Sequence, residues 1–178
     1  VSGAGVDPGA VVVGGAAVVG IDEDGIRTVI DWAALPGRVG AVAAELRRLG
    51  VGAGDGVVAY LPDIAEAVVA FLAAAAVGAV WSSCGQDYAP EGAAARLGQL
   101  APKVLFSSDG YRFNGRWIDK RADTARLVEL LSGTAQPQLM LLDGAAYREV
   151  VANPVAPETT PVPFDHPLWV LFTSGTTG

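Results

Sequence analysis

Short apolar runs of strand length alternate with helical segments along most of the chain. Three helical segments, 64–77, 91–100 and 119–131, separate the first four of these runs. Parallel strands need crossover connections and are buried on both faces. The pattern therefore predicts an α/β fold with a mostly parallel sheet and helices on both faces. The predicted strands are GVVAYL (56–61), AVWSS (79–83), KVLFSS (103–108), QLMLL (138–142) and LWVLFTS (168–174).

The remaining segments predict a hairpin and an extended connector. In AAVVGIDEDGIRTVID (16–31), two runs with β-branched residues flank Asp24-Gly25, a pair that is favoured in tight turns. Segment 153–163 holds four of the eleven prolines, and this density favours an extended connector. We therefore expect residues 1–28 to form a loose lead-in and hairpin, and residues 29–178 to form the main domain.

Charge and cysteine content exclude several classes of protein. The 178 residues include 19 acidic and 12 basic side chains, and a net charge of −7 opposes binding to nucleic acid. The most apolar stretch, 67–81, is shorter than the roughly 20 residues of a membrane helix. One cysteine suits a reducing compartment. We expect a cytoplasmic protein that acts on small molecules, without nucleic-acid or membrane partners.

The last apolar run leads into a loop of small and hydroxylated residues. Its two glycines allow positive φ angles and a close approach of the backbone to a ligand. Successive N–H groups in such a turn converge on an anion, and the hydroxyl groups add further donors. The composition predicts a phosphate-binding loop, although the Walker spacing is absent and a plain glycine turn would also explain these residues. The loop residues are Thr173, Ser174, Gly175, Thr176, Thr177 and Gly178.

The sequence FTSGTTG after an apolar strand resembles the phosphate-binding loop of the adenylate-forming superfamily, which includes acyl-CoA synthetases, peptide-synthetase adenylation domains and luciferases. Longer stretches are similar to the acetoacetyl-CoA synthetase family, apart from Gly85-Gln86, where that family usually has Ser-Pro. The resemblance implies that residues 29–178 are part of an AMP-binding domain that continues past the loop. The stretches are WSSCGQDYAPEGAAARLGQLAPKVLF (81–106), SDGYRFNGR (108–116) and PFDHPLWVLFTSGTTG (163–178).

This resemblance implies an ATP-dependent acid–thiol ligase. Such an enzyme converts acetoacetate through an acyl adenylate to acetoacetyl-CoA, and it uses ATP, Mg²⁺ and coenzyme A. In the family, the acyl pocket and the catalytic lysine follow the loop, so we expect no catalytic residue in this segment and no activity from it alone. Two alternatives stay open: a synthetase for acetate, propionate or another acid, and a truncated, non-catalytic nucleotide-binding or interaction module.

Four further residues are candidates for a role. Arg112 and Arg116 flank the turn pair Asn114-Gly115, and the resemblance assigns them contact with the nucleotide end of CoA; solvated surface arginines are the alternative. Cys84 is expected to be a small buried side chain, since no histidine is near it in sequence. His166 is expected to make a structural hydrogen bond rather than act as an acid or base. No metal-ligand spacing is present.

Overall fold

The computed structural model describes residues 15–173, which form a parallel sheet, two antiparallel hairpins and five α-helices. The strands are β1 (Ala16–Ile21), β2 (Arg27–Asp31), β3 (Gly56–Tyr60), β4 (Val80–Cys84), β5 (Val104–Ser107), β6 (Gly110–Phe113), β7 (Arg116–Asp119) and β8 (Gln138–Leu141). The helices are α1 (Ala34–Arg48), α2 (Ala65–Val77), α3 (Pro90–Leu97), α4 (Arg121–Leu131) and α5 (Ala145–Ala152). A short 3₁₀ turn, Gly98–Leu100, extends α3.

The central sheet has the strand order β4-β3-β5-β8, and all of its neighbouring strands are parallel. Every residue of β3 and β5 is buried. Because successive side chains point to opposite faces, these two strands contribute to two separate cores. Val57 and Phe106 pack with α1, α2 and α5, whereas Val58 and Leu105 pack with α3 and α4. The predicted α/β fold with helices on both faces is confirmed.

Each hairpin turns on residues with left-handed backbone angles. Gly25, with φ of 74°, lies in the predicted turn between β1 and β2. Asn114 and Gly115 join β6 to β7 with φ angles of 55° and 72°, as a two-residue type I′ turn requires. The sequence pattern indicates this second turn but not the two four-residue strands beside it. The predicted helix 119–131 begins only at Arg121 because Asp119 is the last residue of β7.

Two other parts of the fold differ from the prediction. Helix α5 has no counterpart among the predicted helices. The predicted strand 168–174 is wrong as a full strand: within its described residues, only Trp169 forms a β-bridge, with Trp81 of β4. The ladder with β4 stops after this bridge because the Val170 carbonyl, which would accept the next backbone N–H of β4, accepts the Ser82 hydroxyl instead.

The predicted connector is extended, and it crosses the helices on one face of the sheet. The Val155 N–H donates to the Gly37 carbonyl of α1 over 3.1 Å, and the Thr160 N–H donates to the Ala76 carbonyl of α2 over 2.8 Å. Arg47 of α1 reaches the Glu158 carbonyl at 2.9 Å. These bonds fix the route by which the chain returns to the sheet.

Gly40 of α1 provides the space for this crossing, and its replacement by alanine should destabilise the protein. A Cβ at Gly40 would lie 1.9 Å from the Val155 carbonyl oxygen, a backbone atom. Alanine normally stabilises a helix interior by about 0.5–1 kcal/mol relative to glycine. Here we expect Gly40→Ala to lower the free energy of unfolding in urea by about 1–3 kcal/mol, because overpacking forces the connector to move.

The matched control is Gly92→Ala in α3, where an added Cβ would meet no atom closer than 3.7 Å. This variant should be neutral or slightly more stable. Equal effects of the two substitutions would contradict the packing described for Gly40.

Tyr147 of α5 carries a buried hydroxyl group without a hydrogen-bond partner among the described residues. Its side chain is 3% exposed, and burial raises the pKa of the phenol well above its usual value. An unsatisfied buried polar group costs about 1–3 kcal/mol. We therefore expect Tyr147→Phe to keep or raise the urea midpoint. Tyr60→Phe is the control: it removes a hydroxyl that donates over 2.6 Å to the Tyr88 carbonyl, and it should lower the midpoint.

Candidate functional site

The carboxyl ends of the four parallel strands lie along one edge of the sheet. From β3 the chain proceeds to β4 on one side, and from β5 it proceeds to β8 on the other. The two connections therefore diverge between the ends of β3 and β5. In open α/β sheets, ligands bind in the crevice at such a point. Pro62 follows β3 and Ser108 follows β5, so these positions mark the candidate site.

A cavity of about 480 Å³ lies at this edge, beside the β6–β7 hairpin, and we call it the hairpin cavity. One wall is the loop after β4, and the other is formed by aromatic side chains of β6. The loop after β3 lies between them. The sequence gives a weak signal for this cavity, namely turn residues that follow directly on buried strands. The lining residues are Leu61, Pro62, Asp63, Gly85, Gln86, Asp87, Tyr111 and Phe113.

The hairpin separates the two arginines that the sequence analysis pairs. Arg112 lies opposite Trp117 in the ladder and Arg116 lies opposite Phe113, so the two arginines point to opposite faces of the two-stranded ribbon. The structure therefore does not bring them together on one phosphate. Arg112 pairs with Asp24 at 3.1 Å, and both side chains are nearly half exposed. Arg116 makes no ion pair with the residues that the structure describes.

The acidic turn between β1 and β2 contacts the tip of the β6–β7 hairpin. The Glu23 carboxylate accepts hydrogen bonds from the N–H groups of Asn114 and Gly115, at 2.8 and 3.1 Å. Together with the ion pair between Asp24 and Arg112, these bonds place two carboxylates on hydrogen-bond donors of the hairpin. The N–H groups of the tip and the Arg112 guanidinium thus all bind carboxylates of the β1–β2 turn. An exposed ion pair of this kind contributes only about 0–1 kcal/mol, so it leaves Arg112 able to exchange Asp24 for another anion.

The last described segment runs beside β4 towards the same edge. The Trp81 N–H donates to the Leu168 carbonyl over 3.0 Å, and the Val170 N–H donates to the Trp81 carbonyl over 2.8 Å. The Ser82 hydroxyl also donates to the Val170 carbonyl over 2.8 Å. These bonds direct the chain parallel to β4, so Thr173 approaches the carboxyl edge. The other predicted loop residues, 174–178, lie outside the described residues, and their phosphate-binding role stays a prediction.

A second cavity, of about 340 Å³, lies between this segment and the ends of β3 and β4. Three aromatic rings form its apolar side: Phe71 contacts Trp81 with ring centres 5.8 Å apart and Trp169 with ring centres 5.0 Å apart. Asp63 and Ser83 also line it. The cavity is mostly apolar, and the chain passes it on its way to the predicted loop.

Cys84 and His166 have structural contacts. Cys84 is buried at the end of β4, and burial raises the pKa of its thiol, an effect only partly opposed by Arg96. His166 Nε2 donates a hydrogen bond to the Gly78 carbonyl over 2.8 Å, the kind of bond that the sequence analysis expects. Neither side chain is prepared for catalysis by a neighbouring acid or base in these contacts.

Within residues 15–173, no group of three or more histidine, cysteine, aspartate or glutamate side chains could hold a metal ion. Nor does any helix there combine the length and apolar character needed to cross a bilayer.

The family described as AMP-binding enzyme matches the chain over residues 10–178. Acetoacetyl-coenzyme A synthetase of Rhizobium meliloti (strain 1021) is 35% identical over 178 residues, which cover 92% of this chain and 27% of that protein. Acetoacetyl-CoA synthetase of Rattus norvegicus is 36% identical over 159 residues, which cover 79% of this chain and 24% of that protein.

The solved structure of acetoacetyl-CoA synthetase from Streptomyces lividans superimposes with a TM-score of 0.84 and 42% sequence identity. The superposition covers 92% of this chain and 26% of that chain. The chain thus spans about a quarter of the length of the relatives that it matches.

The raised pKa and the burial of Cys84 predict that its thiol reacts slowly with external reagents. At neutral pH we expect a water-soluble disulfide reagent to modify the folded protein at least about tenfold more slowly than the urea-unfolded chain, because the thiolate is the reactive form. This residue is the single cysteine of the sequence, so the 178-residue chain gives an unambiguous signal. Equal rates in the folded and unfolded chains would contradict a buried, protonated thiol.

Proposed function

The chain belongs to the AMP-binding enzyme family, and we propose that the protein containing it is an ATP-dependent acetoacetate–CoA ligase. The proposed reaction joins acetoacetate to coenzyme A and releases AMP and pyrophosphate. The observation that supports the proposal is that segment 168–173, which runs directly into the predicted phosphate loop, lies along β4 in the direction of the sheet's ligand edge. The names of the relatives support acetoacetate as the acid. Because those relatives are about four times as long as this chain, the proposed reaction is that of the whole protein.

In the first half-reaction, a carboxylate oxygen of the acid attacks the α-phosphate of ATP. The bond from the α-phosphorus to the bridging oxygen of pyrophosphate breaks, and an acyl adenylate forms. Because charge accumulates on the departing phosphates, positioning and neutralisation contribute most of the catalysis. We assign this task to the N–H and hydroxyl groups of the predicted loop, residues 173–178. Mg²⁺, which the family resemblance implies, is usually held by one or two carboxylates together with the phosphates themselves, and we assign no described residue to it.

In the second half-reaction, the thiolate of CoA attacks the acyl carbon and AMP leaves with the bonding electrons. We propose that the hairpin cavity receives the nucleotide end of CoA, with Arg116 as the phosphate contact on that face of the ribbon. Arg116 lies opposite Phe113 in the ladder, so it shares the face of the cavity-lining side chains Tyr111 and Phe113. Arg112 lies on the other face, where it pairs with Asp24, and a contact of Arg112 with CoA would be separate from that of Arg116.

The chain has one cysteine and an acidic net charge, which support two proposals about its setting. We propose that the enzyme is cytoplasmic and that its partners are small molecules only, namely the acid, ATP and CoA.

We also propose that residues 29–178 form one domain together with the sequence that follows in the relatives. Residues 1–178 alone are then expected not to convert the substrates.

The test is acid-dependent exchange of labelled pyrophosphate into ATP, measured with the complete gene product. We expect exchange with acetoacetate, formation of acetoacetyl-CoA when CoA is added, and no turnover by residues 1–178 alone. Acetate, propionate and longer acids form the comparison panel. A higher kcat/KM with one of these acids would overturn the proposed substrate, and ATP binding without exchange for any acid would favour a non-catalytic module.

Loop variants test the site within the same assay. We expect Gly175→Val combined with Gly178→Val to reduce exchange by at least about a hundredfold, because β-branched side chains block close approach of the backbone to the phosphates. Gly133→Val is the control, since that exposed glycine follows α4 and has no contact closer than 3.7 Å. Undiminished exchange in the double variant would contradict the phosphate role of the loop.

A further inference from the structure

Gln86 is a polar side chain buried at the candidate site, and the reaction scheme above gives it no task. It lies in the loop between β4 and α3 and is 1% exposed. Burying a primary amide is unfavourable unless its donors and acceptor find partners. An apolar side chain of similar size would fill the same volume without that requirement. The partners of Gln86 therefore indicate what the amide does.

The side chain of Gln86 joins its loop to the end of β5. Its Nε2 donates over 2.8 Å to the Ser108 carbonyl and over 3.4 Å to the Ser107 hydroxyl. Its Oε1 accepts a hydrogen bond from the Ser108 hydroxyl at 3.3 Å. The amide thus contacts both the backbone and the side chain of Ser108, which fixes the separation of the two segments more tightly than one bond would.

Tyr60 secures the same loop from the end of β3. Its hydroxyl donates over 2.6 Å to the Tyr88 carbonyl and over 3.2 Å to the Gln86 carbonyl. Burial raises the pKa of this phenol well above its usual value, so the hydroxyl keeps its proton and remains a donor. The main chain of Gln86 is therefore held from one strand and its side chain from another.

The two segments joined by Gln86 are the two walls of the hairpin cavity. Gly85, Gln86 and Asp87 line it from one side. On the other side Tyr111 and Phe113 line it, and they follow Ser108 along the chain through Gly110, where β6 begins. A change at the contact between Gln86 and Ser108 alters the width of the cavity, whereas the described segment before the predicted phosphate loop is bound to β4 at Trp81 and Ser82.

We propose that Gln86 is a positioning residue for the second half-reaction: it sets the separation of the cavity walls and thereby the affinity for the nucleotide end of CoA. This inference rests on the proposed function, because it takes the hairpin cavity as the CoA site. It assigns Gln86 no contact with the reacting atoms and no part in adenylate formation.

The two half-reactions separate this role from a general structural one. In the complete gene product, with whichever acid supports exchange, we expect Gln86→Leu to raise the KM for CoA about tenfold, as loss of these hydrogen bonds allows. Pyrophosphate exchange without CoA should stay within twofold of the parent rate. Ser108→Ala removes one of the bonds and should raise the KM for CoA about threefold. It is the informative variant if Gln86→Leu does not fold.

Thr124→Val is the matched control, because Thr124 bonds to Ser107 at 2.9 Å on the far side of the same buried network. It should lower stability without changing the KM for CoA. The inference is overturned if Thr124→Val raises that KM as much as Gln86→Leu, or if Gln86→Leu slows exchange by the same factor. Arg116→Ala separates the inference about Gln86 from the proposed CoA site, because Arg116 shares the ribbon face of Phe113. If Arg116→Ala raises the KM for CoA while Gln86→Leu and Ser108→Ala leave it unchanged, only the inference about Gln86 is overturned. If all three variants leave that KM unchanged, the proposed CoA site is overturned as well.

Discussion

The parallel ladder between β3 and β5 is the contact on which the rest of the structure depends. All residues of both strands are buried, and successive side chains enter different cores. Such strands must be apolar on both faces until they end. At Tyr60 and Ser107 the character changes within one residue: the Tyr60 hydroxyl donates to the Tyr88 carbonyl in the loop after β4, and the Ser107 hydroxyl donates to the Tyr60 carbonyl. The ladder aligns these ends, so the buried sheet itself brings the polar groups together at one edge.

The sequence patterns could predict this sheet because burial on two faces leaves short, nearly continuous apolar runs. They could not predict the β6–β7 ribbon, whose strands have four residues each and alternate little in polarity. Helix α5 escaped prediction because it is short: its eight residues carry the helical spacing of Tyr147, Val150 and Val151 only once. The segment around Trp169 carries the apolar character of a strand, yet its ladder with β4 stops after a single bridge, where the Val170 carbonyl accepts the Ser82 hydroxyl. Apolar content therefore indicates burial, and it does not by itself indicate how far a ladder continues.

The candidate site likewise contains parts that the sequence could predict and parts that it could not. FTSGTTG could be found because its glycines and hydroxyl groups are consecutive in sequence, although the role of residues 174–178 and the boundary after residue 28 stay predictions. Gln86 could not be found, since its task arises only when β4 and β5 lie on either side of β3. Arg112 and Arg116 are close in sequence, but the register of the ribbon places them on opposite faces, and their contact with CoA stays a prediction. Proximity along the chain therefore predicts a shared loop better than a shared ligand.

The carboxyl end of α2 links the fold to the predicted phosphate loop. Its carbonyl groups carry the negative end of the helix dipole, and the returning chain bonds to them: Thr160 to Ala76, and His166 to Gly78. A carbonyl oxygen can only accept, so His166 Nε2 carries a proton in this bond. Both the Nε2-protonated neutral ring and the imidazolium satisfy that condition. The approach to β4 therefore does not depend on the charge of the ring. A histidine that donates this bond is suited to hold the chain that leads to Thr173.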